Sequence, residues 1–155
     1  MIEKQTYLRF CDGALSAMRD IVVGLGDDLA NTRPPLSGAN SPFAILTHCL
    51  GVCGYWASTV NLGRVVPRDR EAEFTARGPV LALARDTDAM RRSLGEWVAD
   101  VDPFAAPAMA PRSPAGTEPD FFTATQGAVL LHVYEELAQH LGQLELTRDI
   151  LLHGR

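Results

Sequence analysis

No uninterrupted apolar run in this chain approaches the roughly 20 residues needed to cross a bilayer. The opening Met1-Ile2-Glu3-Lys4-Gln5 also lacks the apolar stretch of a signal peptide. Neither membrane insertion nor export is expected, which leaves the cytoplasm. Cysteine is scarce: Cys11, Cys49 and Cys53 are an odd number without the spacing of a disulfide framework. In a reducing compartment such residues read as small buried apolar side chains. Cys49 and Cys53 lie four apart, as two zinc ligands on one helix face would, but there is no second cysteine pair to complete a structural zinc site. Concentrated positive charge is missing too. The net charge is −5, and the only Arg-rich stretch, 64–77, is interleaved with Asp69, Glu71 and Glu73. That pattern reads as a solvated loop with local ion pairs, so nucleic acid is not an expected partner.

What is present is enough for one core. Hydrophobic residues make up 46 % of 155, an ordinary globular content at the commonest single-domain size. A single domain over 1–155 is expected. Four stretches carry helical periodicity and none carries strand alternation. In 6–29, Leu8, Cys11, Leu15, Met18, Val22, Leu25 and Leu29 recur at steps of three and four, the seam of a helix packed lengthwise. Gly24 and Gly26 weaken its last turn. Ser41-Pro42 reads as an N-cap with proline at the first helical position, opening a broadly apolar helix to about Leu62. Gly78-Pro79 starts a third helix, whose stripe of Val80, Leu83, Thr87, Met90, Leu94, Trp97 and Val101 ends it near 101. Residues 102–120 hold five of the ten prolines, which rules out a helix there. The fourth helix is expected from about Phe122 to about Leu152. The fold class is therefore all-α, a four-helix bundle.

Polar residues on the inward faces carry the functional signal. His48 sits in an otherwise apolar part of the second helix, and His132, Glu136 and His140 are spaced four apart on the fourth. Val129, Val133, Leu144 and Leu151 flank that stripe and turn it toward the core. A carboxylate directed into a bundle interior costs several kcal/mol unless compensated, and no Lys or Arg lies on this stretch of the fourth helix. A divalent cation offsets the cost, because it favours ionised Glu and neutral His together. Glu136 and His140, one turn apart, can reach a common ion, with His48 as the third ligand. Two histidines and one carboxylate are also the ligand set of several catalytic zinc sites. The bland alternative is a hydrogen-bonded core histidine and a His/Glu surface pair at i, i+4. Three roles stay open for His132: direct ligand, proton shuttle, or partner to a ligand. His153, beside the C-terminus, reads as a solvated tail residue.

At ~1.5 Å per residue, His48 lies ~10 Å into its helix, whereas Glu136 and His140 lie ~20–27 Å from the start of theirs and ~18–24 Å from its end. The levels match better if the second and fourth helices run antiparallel. The connection 63–78 is long enough to span the bundle, so up-down-down-up order is predicted.

Two segments then carry a resemblance. Gly38-Ala39-Asn40-Ser41-Pro42-Phe43-Ala44-Ile45-Leu46-Thr47-His48, leading into Tyr55-Trp56, and Glu135-Glu136-Leu137-Ala138-Gln139-His140-Leu141-Gly142-Gln143 resemble the DinB-like superfamily. That superfamily includes the YfiT-type metal-dependent hydrolases and the N-terminal domain of mycothiol-dependent maleylpyruvate isomerase. The likeness implies an up-down-down-up bundle with metal held by His48, Glu136 and His140. Many members have His at the position of Glu136, and the isomerase branch and an uncharacterised branch have Glu, so this chain sides with those. The isomerase's separate C-terminal domain has no counterpart here. The resemblance further implies a homodimer and a low-molecular-weight thiol such as mycothiol.

Three functions compete. In the first, a divalent metal, zinc or nickel ahead of iron, serves a thiol-dependent transferase or isomerase acting on a small-molecule substrate. Arg33 or an arginine within 64–77 would bind an anionic group. In the second, the metal activates water for hydrolysis, with His132 or Glu145 as general base. In the third, the chain is a stress-related binding protein whose metal is structural, closed by a fourth ligand such as His132.

Overall fold

The seven-residue apolar seam of the first helix is realised almost residue for residue. Helix α1 (Lys4–Ala30) buries Cys11, Leu15, Met18, Val22 and Leu25, with Leu8 and Leu29 packed at the margin. Gly26, at φ 71° and ψ 173°, kinks the helix, which then continues for one more turn. Only glycine adopts that backbone without strain. The computed structural model describes residues 2–109 and 121–153, and among these it contains helices and no strand.

Helix α2 (Pro42–Cys53) starts where expected: the Ser41 side chain accepts from the Ala44 N–H at 3.2 Å, and proline occupies the first position. Beyond Gly54 the helix widens to π geometry over Gly54–Val60 and closes at Leu62. A π segment is frequently found at functional sites, and nothing in the apolar periodicity announced it. The span Pro42–Val60, mean hydropathy 1.3, is long and apolar enough to cross a membrane. Thr47, His48, Ser58 and Thr59 interrupt it, so it is apolar on average and not an uninterrupted apolar run. Its apolarity has another cause, because 78 % of it is buried inside the protein.

The connection that follows departs further from expectation. It carries a short helix, α3 (Arg70–Glu73), capped by the Asp69 carboxylate accepting from the Ala72 N–H at 3.0 Å. Glu73 at its end is buried. Helix α4 (Val80–Asp100) has no side-chain cap of its own. Asp27 of α1 supplies one, accepting from the Val80 N–H at 2.7 Å. Residues 101–109 are non-helical, while 110–120 of the Pro-rich stretch lie outside the described residues. A 3-10 turn occupies Phe121–Thr123, and α5 (Gln126–His153) begins four residues later than predicted, with the Thr125 hydroxyl accepting from the Ala128 N–H at 3.1 Å.

Helix α1 packs on α2, α4 and α5, and α2 also meets α4 and α5, whereas the backbones of α4 and α5 do not approach each other among the described residues. The ends report the directions. Lys4 at the start of α1 donates to the Ala99 carbonyl at the end of α4. Tyr7 donates to the Leu130 carbonyl, pairing the starts of α1 and α5. Asn61, just after the π segment, and Gln126, opening α5, exchange hydrogen bonds at 3.1 Å in both directions.

Leu15, Met18, Leu46, Leu94, Leu137 and Leu144 fill the centre. Leu137 has no exposed surface, so Leu137→Ala removes buried methylenes and leaves a void. A loss of about 2–5 kcal/mol is expected, read from urea unfolding with an unchanged m-value. A loss under about 0.5 kcal/mol, the range typical of surface positions, would show that this side of α5 is not core.

Candidate metal centre

His48 lies on the seventh residue of α2 and is 6 % exposed. A buried imidazole must satisfy both nitrogens. Its Nδ1 lies 2.9 Å from Glu73 Oε2. Its Nε2 faces α5, 3.6 Å from Glu136 Oε2. His140, one turn after Glu136, brings its own Nε2 to 3.4 Å from the same oxygen. The His140 Nδ1 is occupied by Gln143 Oε1 at 2.7 Å. Both imidazoles are thus tied at Nδ1 and converge with Nε2 on one carboxylate. Among the described residues, the donor atoms of His48, Glu136 and His140 all lie within 4.8 Å of one another.

These separations suit a shared cation better than a hydrogen-bonded cluster. Direct N–H···O bonds fall at roughly 2.7–3.2 Å. Two ligands bound at ~2.1 Å and subtending a tetrahedral angle are about 3.4 Å apart. The two separations to Glu136, 3.4 and 3.6 Å, match the second geometry, and the third pair lies within 4.8 Å. Soft thiolate ligands are absent from the trio, and mixed imidazole and carboxylate donors suit zinc, nickel or iron(II).

The stripe on α5 sits differently from the sequence expectation. Val129, Val133, Leu137 and Leu144 form its core face, while the side chains of His132, Glu136 and His140 are 12 %, 28 % and 25 % exposed. They line the groove between α2 and α5 instead of the hydrophobic core. The deeply buried carboxylate is Glu73, and its compensation is Arg68, whose Nε and Nη2 donate to Glu73 Oε1 and Oε2 at 2.6 and 2.9 Å. The connection 64–77 is therefore more than a solvated loop: it delivers a buried ion pair to the back of His48. Phe74 from the same connection stacks on the His48 ring at 5.2 Å.

His132 belongs to the neighbourhood and not to the trio. Its Nδ1 lies 3.2 Å from Glu135 Oε2, its Nε2 is 3.9 Å from Glu136 Oε1, and its ring stacks on Phe122 and meets Trp56 edge-on. Together with Val52, Tyr55, Trp56, Arg68, Arg70 and Phe74, the four polar residues line an open pocket of ≈ 670 Å³. Glu145 is exposed and does not line it, so the structure offers no support for Glu145 as general base. Arg33 donates to the Phe74 carbonyl and is not in the wall either, whereas Arg68 and Arg70 are. Glu73 and Arg68 escaped sequence reasoning because alternating charges in a loop look solvated. One signal was available: Gly51, one turn beyond His48, leaves room for the carboxylate. A Cβ at Gly51 would overlap Glu73, lying 2.7 Å from its carboxyl carbon.

In comparison with known families, the family model described as mycothiol-S-transferase aligns with residues 6–152, nearly the whole chain. No curated protein sequence matches.

The cysteines do not contribute to this pocket. All three are free and buried. Burial pushes the Cys11 thiol up to about 11, and lifts Cys49 and Cys53 well above the ordinary thiol value. The Cys49–Cys53 pair thus shows no metal-ready thiolate. Native protein should therefore resist alkylation near neutral pH, all three thiols reacting only after denaturation. The sign of the linkage follows. Thiols whose folded pKa is raised stabilise the fold below the unfolded value and cease to do so above it, so stability should decline as pH rises past about 9. Rapid labelling of any one cysteine in native protein would contradict this placement.

Proposed function

The chain belongs to the mycothiol-S-transferase family, and from that premise we propose that it is a divalent-metal-dependent transferase or isomerase joining a low-molecular-weight thiol such as mycothiol to a small electrophile. The observation that carries the proposal is the convergence of His48, Glu136 and His140, from two helices, on one point at the floor of a pocket. In this reading the domain is a single up-down-down-up four-helix bundle, supported by the end-to-end contacts of α1 with α4 and α5 and of α2 with α5. A homodimer draws support from the exposed apolar side chains Phe10, Phe104 and Leu131. A cytoplasmic setting fits the three free thiols, and the net charge of −5 argues against nucleic acid as a partner.

The donor set fits zinc or nickel. Such an ion supplies Lewis acidity, lowering the pKa of a coordinated thiol so that thiolate is present at neutral pH. The chain's own residues do the rest. His48, Glu136 and His140 would hold the ion, with the Glu136 carboxylate as its one anionic ligand. Trp56, Tyr55 and Phe74 wall the pocket and restrict water. Arg70, at the pocket wall and over the Phe74 ring, offers positive charge to an anionic group on either substrate. We assign His132 the role of holding a proton beside the site, supported by its Nε2 lying 3.9 Å from Glu136 Oε1. Because the three cysteines are buried and held neutral, the reacting sulfur belongs to a separate molecule.

Elemental analysis of purified protein beside His48→Ala and Glu136→Ala tests the site. About one ion per chain is expected in the parent and little in either variant, with kcat/KM for thiol addition falling by about three orders of magnitude, on the order of 4 kcal/mol. Metal retained in both variants would refute the ligand assignment. Amidase or esterase turnover without added thiol would favour the hydrolytic alternative, in which His132 acts as base.

A further inference from the structure

A neutral imidazole can present its lone pair to a metal from either nitrogen, and which one it uses is set by the hydrogen bond at the other. For His48 the surroundings are asymmetric. Glu73 Oε2 is 2.9 Å from Nδ1, while the nearest carboxylate oxygen to Nε2 is 3.6 Å away. Glu73 is paired at both oxygens with Arg68, and an ionised carboxylate only accepts. The shared hydrogen therefore resides on Nδ1.

We infer that Glu73, locked by Arg68, is a positioning residue that holds His48 with its proton on Nδ1 and its Nε2 lone pair directed at Glu136 and His140. The inference rests on the metal-dependent reading above for its functional consequence, but not for its geometry. Two contacts from one short stretch meet the ring and a third supports them: Phe74 covers a face, Glu73 takes Nδ1, and Arg68 fixes Glu73 from behind. Arg68 is itself held over the Tyr55 ring, 5.6 Å from its centroid, which ties the relay to the π segment of α2. Glu73 reaches this position because Gly51 carries no side chain; a Cβ there would occupy the space of its carboxylate. The crossover connection between α2 and α4 thus serves as a brace for a ligand on α2. Removing such a partner from a metal-binding histidine typically weakens metal affinity by about 10–100-fold.

The deciding measurement is made on metal-free protein, where the nitrogen shifts of the His48 ring distinguish the two tautomers by NMR at mildly alkaline pH. The parent should show the form protonated at Nδ1. The double variant Arg68→Met/Glu73→Leu removes the ion pair without stranding a buried charge, a replacement that is often neutral or stabilising. It should lose the Nδ1–H preference while melting close to the parent. Its zinc affinity, measured by chelator competition, should drop by about 10–100-fold. Glu73→Gln, which keeps the shape and loses the charge, should show the same changes to a smaller degree, and it decides the matter if the double variant fails to fold. A parent protonated at Nε2, or variants with an unchanged tautomer, would overturn the inference. So would a tautomer shift with unchanged zinc affinity. Parent protein that shows the Nδ1–H form but binds no zinc would sink the metalloenzyme reading and the brace's metal role, while leaving the hydrogen-bond geometry standing.

Discussion

Much of this structure follows from the need to satisfy a histidine on the most enclosed helix. Helix α2 meets α1, α3, α4 and α5, and its side chains from Pro42 to Leu46 are buried. An imidazole inserted there cannot leave either nitrogen to bulk water. One nitrogen is answered by Glu73, which is itself tolerable in the interior only because Arg68 neutralises it. The other nitrogen turns to the α2–α5 groove, where Glu136 and His140 stand. Each polar residue makes the next one necessary, and the chain of compensation ends at a pocket.

The electrostatic logic divides between two carboxylates. Glu73 is closed off, bidentate with an arginine, and committed to orientation. Among the described residues Glu136 has no Lys or Arg partner; imidazoles of His48, His132 and His140 surround it at 3.4–3.9 Å. It is part-exposed and faces the pocket, with no cationic clamp among the described residues. The buried, neutral cysteines complement this arrangement: this member of a family named for thiol transfer has a pocket that none of its own cysteines lines.

The helices and the three convergent residues were legible from the chain because they rest on short-range periodicity. The stripes of α1 and α4 are buried almost as read, and Ser41-Pro42 caps α2 as its chemistry requires. His48, Glu136 and His140 stood out because polar groups on apolar helix faces demand an explanation whatever the fold. The depth of the α5 stripe was misjudged, since a helix lying along a groove has a boundary face as well as a core face, and spacing of four alone does not separate them. The starting point of α5 was misjudged for a similar reason: aromatic residues 121–122 look like the beginning of an apolar stripe but occupy a 3-10 turn.

Composition and periodicity by themselves determined the all-helical class, the approximate extent of the long helices and the residue types able to bind a cation, because these depend on neighbours within one or two turns. Only the tertiary structure decided that residues 68–74 fold back onto His48, that α2 widens at Gly54, and that Glu73 instead of Glu136 is the buried acid. The first and last of these depend on contacts between distant segments, such as His48 with Glu73, 25 positions apart. No local pattern can encode the distance at which two such side chains will meet.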